Sequence, residues 1–243
     1  MTPMNGERAI SRVPRPVLAL LVASFCLQMA WQGLKPEPVA RPEALEAPPP
    51  APVLQALALA DPIALAQLLT LYLQAFDNQP GISIPFLQLD YERVIQWLGT
   101  ILDLDPAGQY PLLMASQVYS QVPDEAKQRK MCDFVFRQFG RDPDRRWRWL
   151  AHCAIIAKHR LKDPRLALAY ADAITREARH ASSWARQMRI FILEDLGERE
   201  AATILLGGLL ASGEVTDPKE VYFLTNRLKE MKAAGKSSPA TKN

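Results

Sequence analysis

From about residue 53 onward, apolar positions recur every three or four residues, the spacing of one face of an α-helix. In LDYERVIQWLGTILDLDP, Val94, Trp97, Leu98, Ile101 and Leu102 make such a face. Runs that alternate valine, isoleucine and threonine with polar residues are missing, alanine and leucine are plentiful, and glycine is scarce at 11 of 243 residues. Helix propensity therefore dominates and the fold class is all-α. Asp61-Pro62, Asp163-Pro164 and Asp217-Pro218 stand directly before the helical runs IALAQLLTLYLQAF, RLALAYADAI and KEVYFLTNRLKEM. Each pairs a capping carboxylate with a proline in the first turn, where the missing N–H costs nothing. About nine helices with short turns are predicted over residues 53–231, which makes successive helices antiparallel neighbours. NQPGISIP, Asn78 to Pro85, is the one substantial irregular loop, and residues 232–243 read as a disordered tail.

The amino-terminal pattern differs. After a basic tail, residues 1–15, the stretch VLALLVASFCLQMAWQGL within residues 16–34 has no formal charge. Its eighteen residues reach about 27 Å as a helix, enough to cross a hydrocarbon core, so a transmembrane anchor in contact with lipid is predicted. Gln28 stands where a small residue is wanted for leader cleavage, and Phe25 precedes Cys26 where a lipoprotein site needs a small residue, so the segment is read as uncleaved. Arg8, Arg12 and Arg15 precede it, against Lys35 and Arg41 after it, which places the amino terminus in the cytoplasm and the helical domain in the periplasm of a bacterial inner membrane. Residues 35–52 hold seven prolines. They read as an extended spacer or an ordinary disordered linker.

Spacing within the helical part suggests repeats. DLDP ending at Pro106 and GRDP ending at Pro143 lie 37 residues apart, and TDP ending at Pro218 follows 75 later. The span Leu150 to Ala178 is followed by Ala185 to Leu210 at an offset of about 34, a period expected of stacked helix pairs. LDYERVIQWLGTILDLDP, LKDPRLALAYADAI and LGEREAATILLGGLL resemble the second helices of tetratricopeptide repeats, with Ala167 and Ala201 at the family's small position. The resemblance covers roughly residues 89–231. It implies antiparallel helix-pair repeats wound into an α-solenoid, whose first helices line a groove for peptides or protein partners, and it implies no chemistry.

Charge and chemistry refine this picture. The net charge is +3, and Arg8, Arg12 and Arg15 against Glu7 put +2 of it in residues 1–34, leaving 3 − 2 = +1 for the rest. So small an excess argues against nucleic acid as a partner. The densest cluster is RRWRWLAHCAIIAKHR, Arg145 to Arg160. On one helix, Trp147, Leu150, Ala151, Ala154 and Leu161 form a packing face, while Arg148, His152, Ile155 and His159 form a second stripe. Arg148, His152 and His159, with Arg186, are the candidate partner-binding residues. Arg145, Arg146 and Arg148 interleaved with Trp147 and Trp149, and Lys127, Arg129, Lys130, Arg137 and Arg141 upstream, also have the make-up of a phosphate-binding patch, diluted by Asp133, Asp142 and Asp144.

A metal reading would use His152, His159, Cys153 and Cys132. The two histidines are two helical turns apart, too far to share a zinc unaided, and no Cys-x-x-Cys or His-Glu-x-x-His occurs. Cys132 and Cys153 fall on adjacent predicted helices and read as two buried thiols, with a bridge within geometric reach. Gly207-Gly208 reads as a close helix contact, and Ser182 and Ser183 near His180 make no triad by sequence alone. No catalytic residue, metal or cofactor is predicted. The function expected is a membrane-anchored, tetratricopeptide-like scaffold of the cell envelope that binds a protein partner. The alternatives are an enzyme or metal-binding helical domain using the His152/His159 stripe, or a cytoplasmic adaptor.

Overall fold

A computed structural model describes residues 14–34 and 42–236 of the chain. Residues 1–13 of the basic tail expected over 1–15, the first part of the spacer (35–41) and residues 237–243 lie outside the described residues. The described residues hold eleven α-helices and a single two-stranded hairpin, so the protein is mostly helical. They divide into two units, one carrying the amino-terminal helix and the other the helical body.

Helix α1 (Arg15–Leu34) is long and apolar enough to cross a membrane and buries none of its side chains. Twenty residues at 1.5 Å rise span about 30 Å. Its only hydroxyl, Ser24 Oγ, donates to the Leu20 carbonyl at 2.8 Å, which satisfies that donor within the helix itself.

The body begins earlier than its pattern of apolar residues indicates. Residues 42–50, within the expected spacer, form no helix or strand but are docked. Leu45 is buried in the core, the Trp97 indole donates to the Glu46 carbonyl at 2.8 Å, and Gln79 and Glu43 exchange two hydrogen bonds of 2.8 and 3.2 Å. Between Pro42 and Pro48 the backbone keeps its donors and acceptors, and a buried indole requires one of them. A short helix, α2 (Ala51–Leu57), follows and turns by 109° into α3 (Pro62–Ala75). The corner holds Leu59 at φ 47° and Ala60 at φ 71°. Next comes the hairpin of β1 (Asn78–Gln79) and β2 (Ile82–Ser83), turned by Pro80 and by Gly81 at φ 79°, the residue order of a type II turn.

Of the nine expected helices, eight form as regular α-helices. In α4 (Tyr91–Leu104) the five predicted face residues Val94, Trp97, Leu98, Ile101 and Leu102 are buried. The three Asp-Pro starts cap as expected: Asp61 accepts from Ala64 N (3.0 Å), Asp163 from Leu166 N (2.9 Å), and Asp217 from Lys219 N and Glu220 N (2.7 and 3.2 Å). The helix expected over YPLLMASQVYSQV is irregular. After α5 (Tyr110–Leu113) it passes through a π turn (Met114–Val118) into a 3-10 turn (Tyr119–Gln121). Ser116 and Ser120 both donate to the carbonyl four residues back, a bond that competes with the helical ladder. Helices α6 (Glu125–Phe139), α7 (Pro143–His159), α8 (Pro164–Glu177), α9 (Ser183–Asp195), α10 (Arg199–Ala211) and α11 (Pro218–Lys236) complete the chain. The last continues past residue 231, where the tail was expected to begin.

From α6 onward, successive helices pack on one another, and α4 with α6 and α7 with α9 also touch. The main core runs from Leu45 through α9, and a second cluster joins Ile190 and Leu193 of α9 to Ala202, Leu206, Val215, Leu224 and Met231. The closest pair, α7 and α8, meets through small residues: Ala151, Ala154, Ala157, Ala167 and Ala171 are fully buried. In α10 the buried small residue is Ala202, and Ala201, the position matched from the sequence, is exposed, a shift of one residue in register. Gly207 and Gly208 are not at a close contact either. A Cβ at either position would meet nothing within 4 Å.

Candidate functional site

Helix α7 is the element through which the body is tied together, and its sequence assigns each face a different job. The inward face carries Trp147, Leu150, Ala151 and Ala154, all buried, and Leu161 just beyond its end is half-buried, as the spacing predicts. A second face meets the α5 segment. There the Trp149 indole donates to Gln109 Oε1 at 2.8 Å, and the Arg160 guanidinium donates to Gln121 Oε1 at 2.5 Å and the Ser120 carbonyl at 3.4 Å. A third meets α9, where the Trp147 and Trp184 rings contact edge to face at 5.5 Å and Lys158 pairs with Asp195.

Arg146 is buried rather than displayed. Its guanidinium donates to the Gln138 carbonyl (2.6 Å), Gln138 Oε1 (3.1 Å) and the Pro106 carbonyl (2.9 Å), joining the ends of α4 and α6 to the start of α7. Burial lowers its pKa below the usual arginine value. Four other members of the basic cluster are also paired, while Arg137 is exposed: Arg145 pairs with Asp142 at 3.2 Å, Arg141 with Asp103 at 2.8 Å, Lys130 with Glu92 at 2.6 Å and Arg129 with Asp163 at 2.5 Å. Lys127 donates to the carbonyls of Leu87 and Leu89 and lies 4.9 Å from the Tyr91 ring centre. The stretch that reads as a basic stripe is thus largely paired within the fold.

The remaining face of α7 is the predicted stripe. Arg148, Ile155 and His159 are exposed and His152 is half-buried between them. The Arg148 guanidinium lies 5.4 Å from the Trp147 ring centre. Burial and the nearby Arg160 cation hold the His152 pKa below its usual value, so the ring is neutral at neutral pH. Arg186 does not join this stripe. It pairs with Glu214 and donates to the Arg179 carbonyl at 2.9 Å, and it lines a cleft formed by residues of α8, α9 and α10 together with Glu214.

Cys132 and Cys153 are free, fully buried thiols on the adjacent helices α6 and α7. Burial, then the neighbouring thiol, push Cys153 well above the ordinary thiol range, which makes it a poor nucleophile. Among the described residues, no three of His, Cys, Asp and Glu converge in a way that holds a metal ion. His180 lies 3.4 Å from Asp144, and Ser183 donates to Glu220 at 3.1 Å, so their hydrogen bonds lead to different carboxylates.

One surface was missed in the sequence. Phe191, Tyr222, Phe223, Asn226, Arg227 and Glu230 line a cleft of about 630 Å³ on α9 and α11, with Tyr222 71% and Phe223 56% exposed. Its signal is the run VYFL, four consecutive apolar residues at 100° intervals around a helix, which cannot all face one core. No family model, curated protein or solved structure matches the chain.

Proposed function

We propose that the protein is a membrane-anchored, tetratricopeptide-like scaffold that binds a protein or peptide partner along the outer face of α7, in the cell envelope of a bacterium. The observation that carries this reading is the stripe Arg148, His152, Ile155, His159: three of its four residues are exposed on a helix whose other faces are all packed. An exposed isoleucine between cationic and imidazole side chains has the mixed make-up of a protein-binding surface. The exposed aromatics of α11 extend the supply of anchors.

The repeat reading is supported by spacing. Helices α5, α7, α9 and α11 start 33, 40 and 35 residues apart, and α4, α6, α8 and α10 start 34, 39 and 35 apart. Alternate helices that touch, α7 with α9 and α4 with α6, are what stacked pairs produce. The apolar length of α1 supports the anchor, and the arginines before it support a cytoplasmic amino terminus with a periplasmic body.

Photocrosslinking in native membranes tests the reading. A crosslinker at Ile155 or His159 should capture one partner that a crosslinker at Ile204, on α10, does not. Combined substitution of Arg148, His152 and His159 should abolish capture while the circular dichroism spectrum is unchanged. Adding an Arg186 substitution should weaken capture no further, since that side chain is already held by Glu214. Equal capture from Ile155 and Ile204 would remove α7 as the binding face.

A further inference from the structure

We propose that α2 and α3 lay their outward face on the surface of the bilayer that α1 crosses, with their leucines at the level of the upper acyl chains. This rests on the reading of α1 as a membrane anchor and adds a second, monotopic contact. Val53, Leu57, Leu59, Ile63, Leu68 and Leu71 are all 45% or more exposed. Residues 51–76 include one formal charge, Asp61, and that carboxylate is taken up capping α3 at Ala64 N. By contrast α6, one residue longer than α3, carries six charged side chains, as a helix facing water requires. The exposed polar side chains of α3, Gln67, Tyr72 and Gln74, are all uncharged.

The opposite face of α3 is committed. Leu65, Ala66 and Leu73 are buried, and the Tyr72 ring packs 5.0 Å from that of Trp97. A helix fixed on one side to a folded body cannot cross a membrane, but it can lie along one. The corner between the helices points the same way. Leu59 is 87% exposed at φ 47°, a left-handed conformation that glycine or asparagine adopts at lower cost. A leucine held outward there contributes nothing to the core.

The tether selects lipid as the occupant. Residues 42–50 are docked on the body, so only the seven residues 35–41 separate the end of α1 from the first docked residue. At about 3.5 Å each they reach at most about 25 Å. A body held this close meets the bilayer at high effective concentration, and shallow insertion of a few leucines then suffices. Because the face has no cationic residues, insertion depends on apolar contact and needs no anionic headgroup.

The test uses the full chain in phosphatidylcholine vesicles, with an environment-sensitive fluorophore on a single reactive cysteine and a spin-labelled phosphatidylcholine as quencher. Cys132 and Cys153 are fully buried and stay unlabelled. Labelling the native Cys26 reports α1, L68C in a C26S background reports the α3 face, and I204C in the same background reports an apolar position on α10. Quenching at position 68 should exceed that at 204 roughly threefold or more and be unchanged in 1 M salt. Strong quenching at 26 with equal, weak quenching at 68 and 204 overturns this proposal and leaves the anchor standing; no quenching at 26 overturns the anchor itself. An apolar emission at 68 that escapes lipid quenching and grows with the protein-to-lipid ratio assigns the face to a second copy and overturns the proposal too. In L59E/L71E carrying the label at 68, quenching should fall to the level at 204 with helical content retained.

Discussion

Replacing Arg146 by alanine should destabilise the helical body by about 4 kcal/mol. The side chain is 2% exposed and serves three acceptors: the Gln138 carbonyl, Gln138 Oε1 and the Pro106 carbonyl. Losing a buried partner costs each acceptor about 1–1.5 kcal/mol, hence about 3–4 in total. Removing the packed aliphatic stem adds about 2 kcal/mol, at about 0.8 per methylene. Against this, the substitution removes a desolvated cation whose Nε has no partner, which returns about 1–2 kcal/mol. In urea denaturation of the full chain in nonionic detergent, followed by circular dichroism, a slope of about 2 kcal/mol per molar turns this into a midpoint lower by about 2 M. Arg146→Lys keeps the charge but not the planar fork, and should lie about halfway. Arg146→Met, which keeps volume without donors, should be milder than alanine. A loss under about 1 kcal/mol for alanine, or a lysine variant as stable as wild type, would show that the three bonds do not hold the ends of α4 and α6 to α7.

Three further outcomes follow from other sites. The double substitution G207A/G208A should stabilise the protein by about 1–2 kcal/mol, read as a higher melting temperature, because both glycines lie inside α10 with open space where a Cβ would go. Asp163→Ala should cost about 1–2 kcal/mol through the lost α8 cap, whereas Asp163→Asn, which can still accept from Leu166 N, should cost less than 1 kcal/mol for the weakened pairing with Arg129; equal losses would assign the effect to the ion pair. The folded state holds the His152 pKa below the 6.5 of the unfolded chain, so below about pH 6.5 the unfolded state binds more protons and stability falls with falling pH. Above that pH the neutral-histidine contribution is fully present. His152→Gln should flatten the decline of the urea midpoint between about pH 7 and 5, a window above that in which Asp144 and Asp163, both held below the usual carboxylate pKa, are protonated.

Periodicity made most of the helical body legible, because helices bury one stripe and the stripe repeats in the sequence. The Asp-Pro starts were legible for a similar reason: cap and proline act on adjacent residues, so Asp61, Asp163 and Asp217 reveal their role locally. What the pattern missed depends on long-range partners. Residues 42–50 look like a spacer because they are rich in proline, yet their own Leu45 is buried, and Gln79 and the Trp97 indole hold them from 36 and 51 positions away. Arg146 differs from Arg145 and Arg148 only in facing inward, and its acceptors lie 8 and 40 residues upstream. The α7 stripe was readable as a stripe, but grouping Arg186 with it was not, since the side chain follows Glu214 rather than the helix surface. The π turn at Met114–Val118 arises from serine hydroxyls competing with the backbone ladder, a balance that leaves the apolar spacing unchanged.

The division of the core at α9 has a consequence for how the body comes apart. Ala185 and Ile192 belong to the larger cluster, Ile190 and Leu193 to the smaller, so α9 bridges the two buried regions, helped by Leu168 of α8, which packs against both. The smaller cluster holds only seven buried residues, of which Ala202, Leu206 and Leu224 alone are fully buried, and the ladder of α10 and α11 can open while the rest remains closed. Amide protons in those two helices then exchange through sub-global opening, faster than those of α4, α6 and α7, which wait for complete unfolding. The carboxy-terminal pair acts as a fraying end cap on a sturdier stack, and a protease that attacks the native protein should first nick it near Gly197 or Gly213.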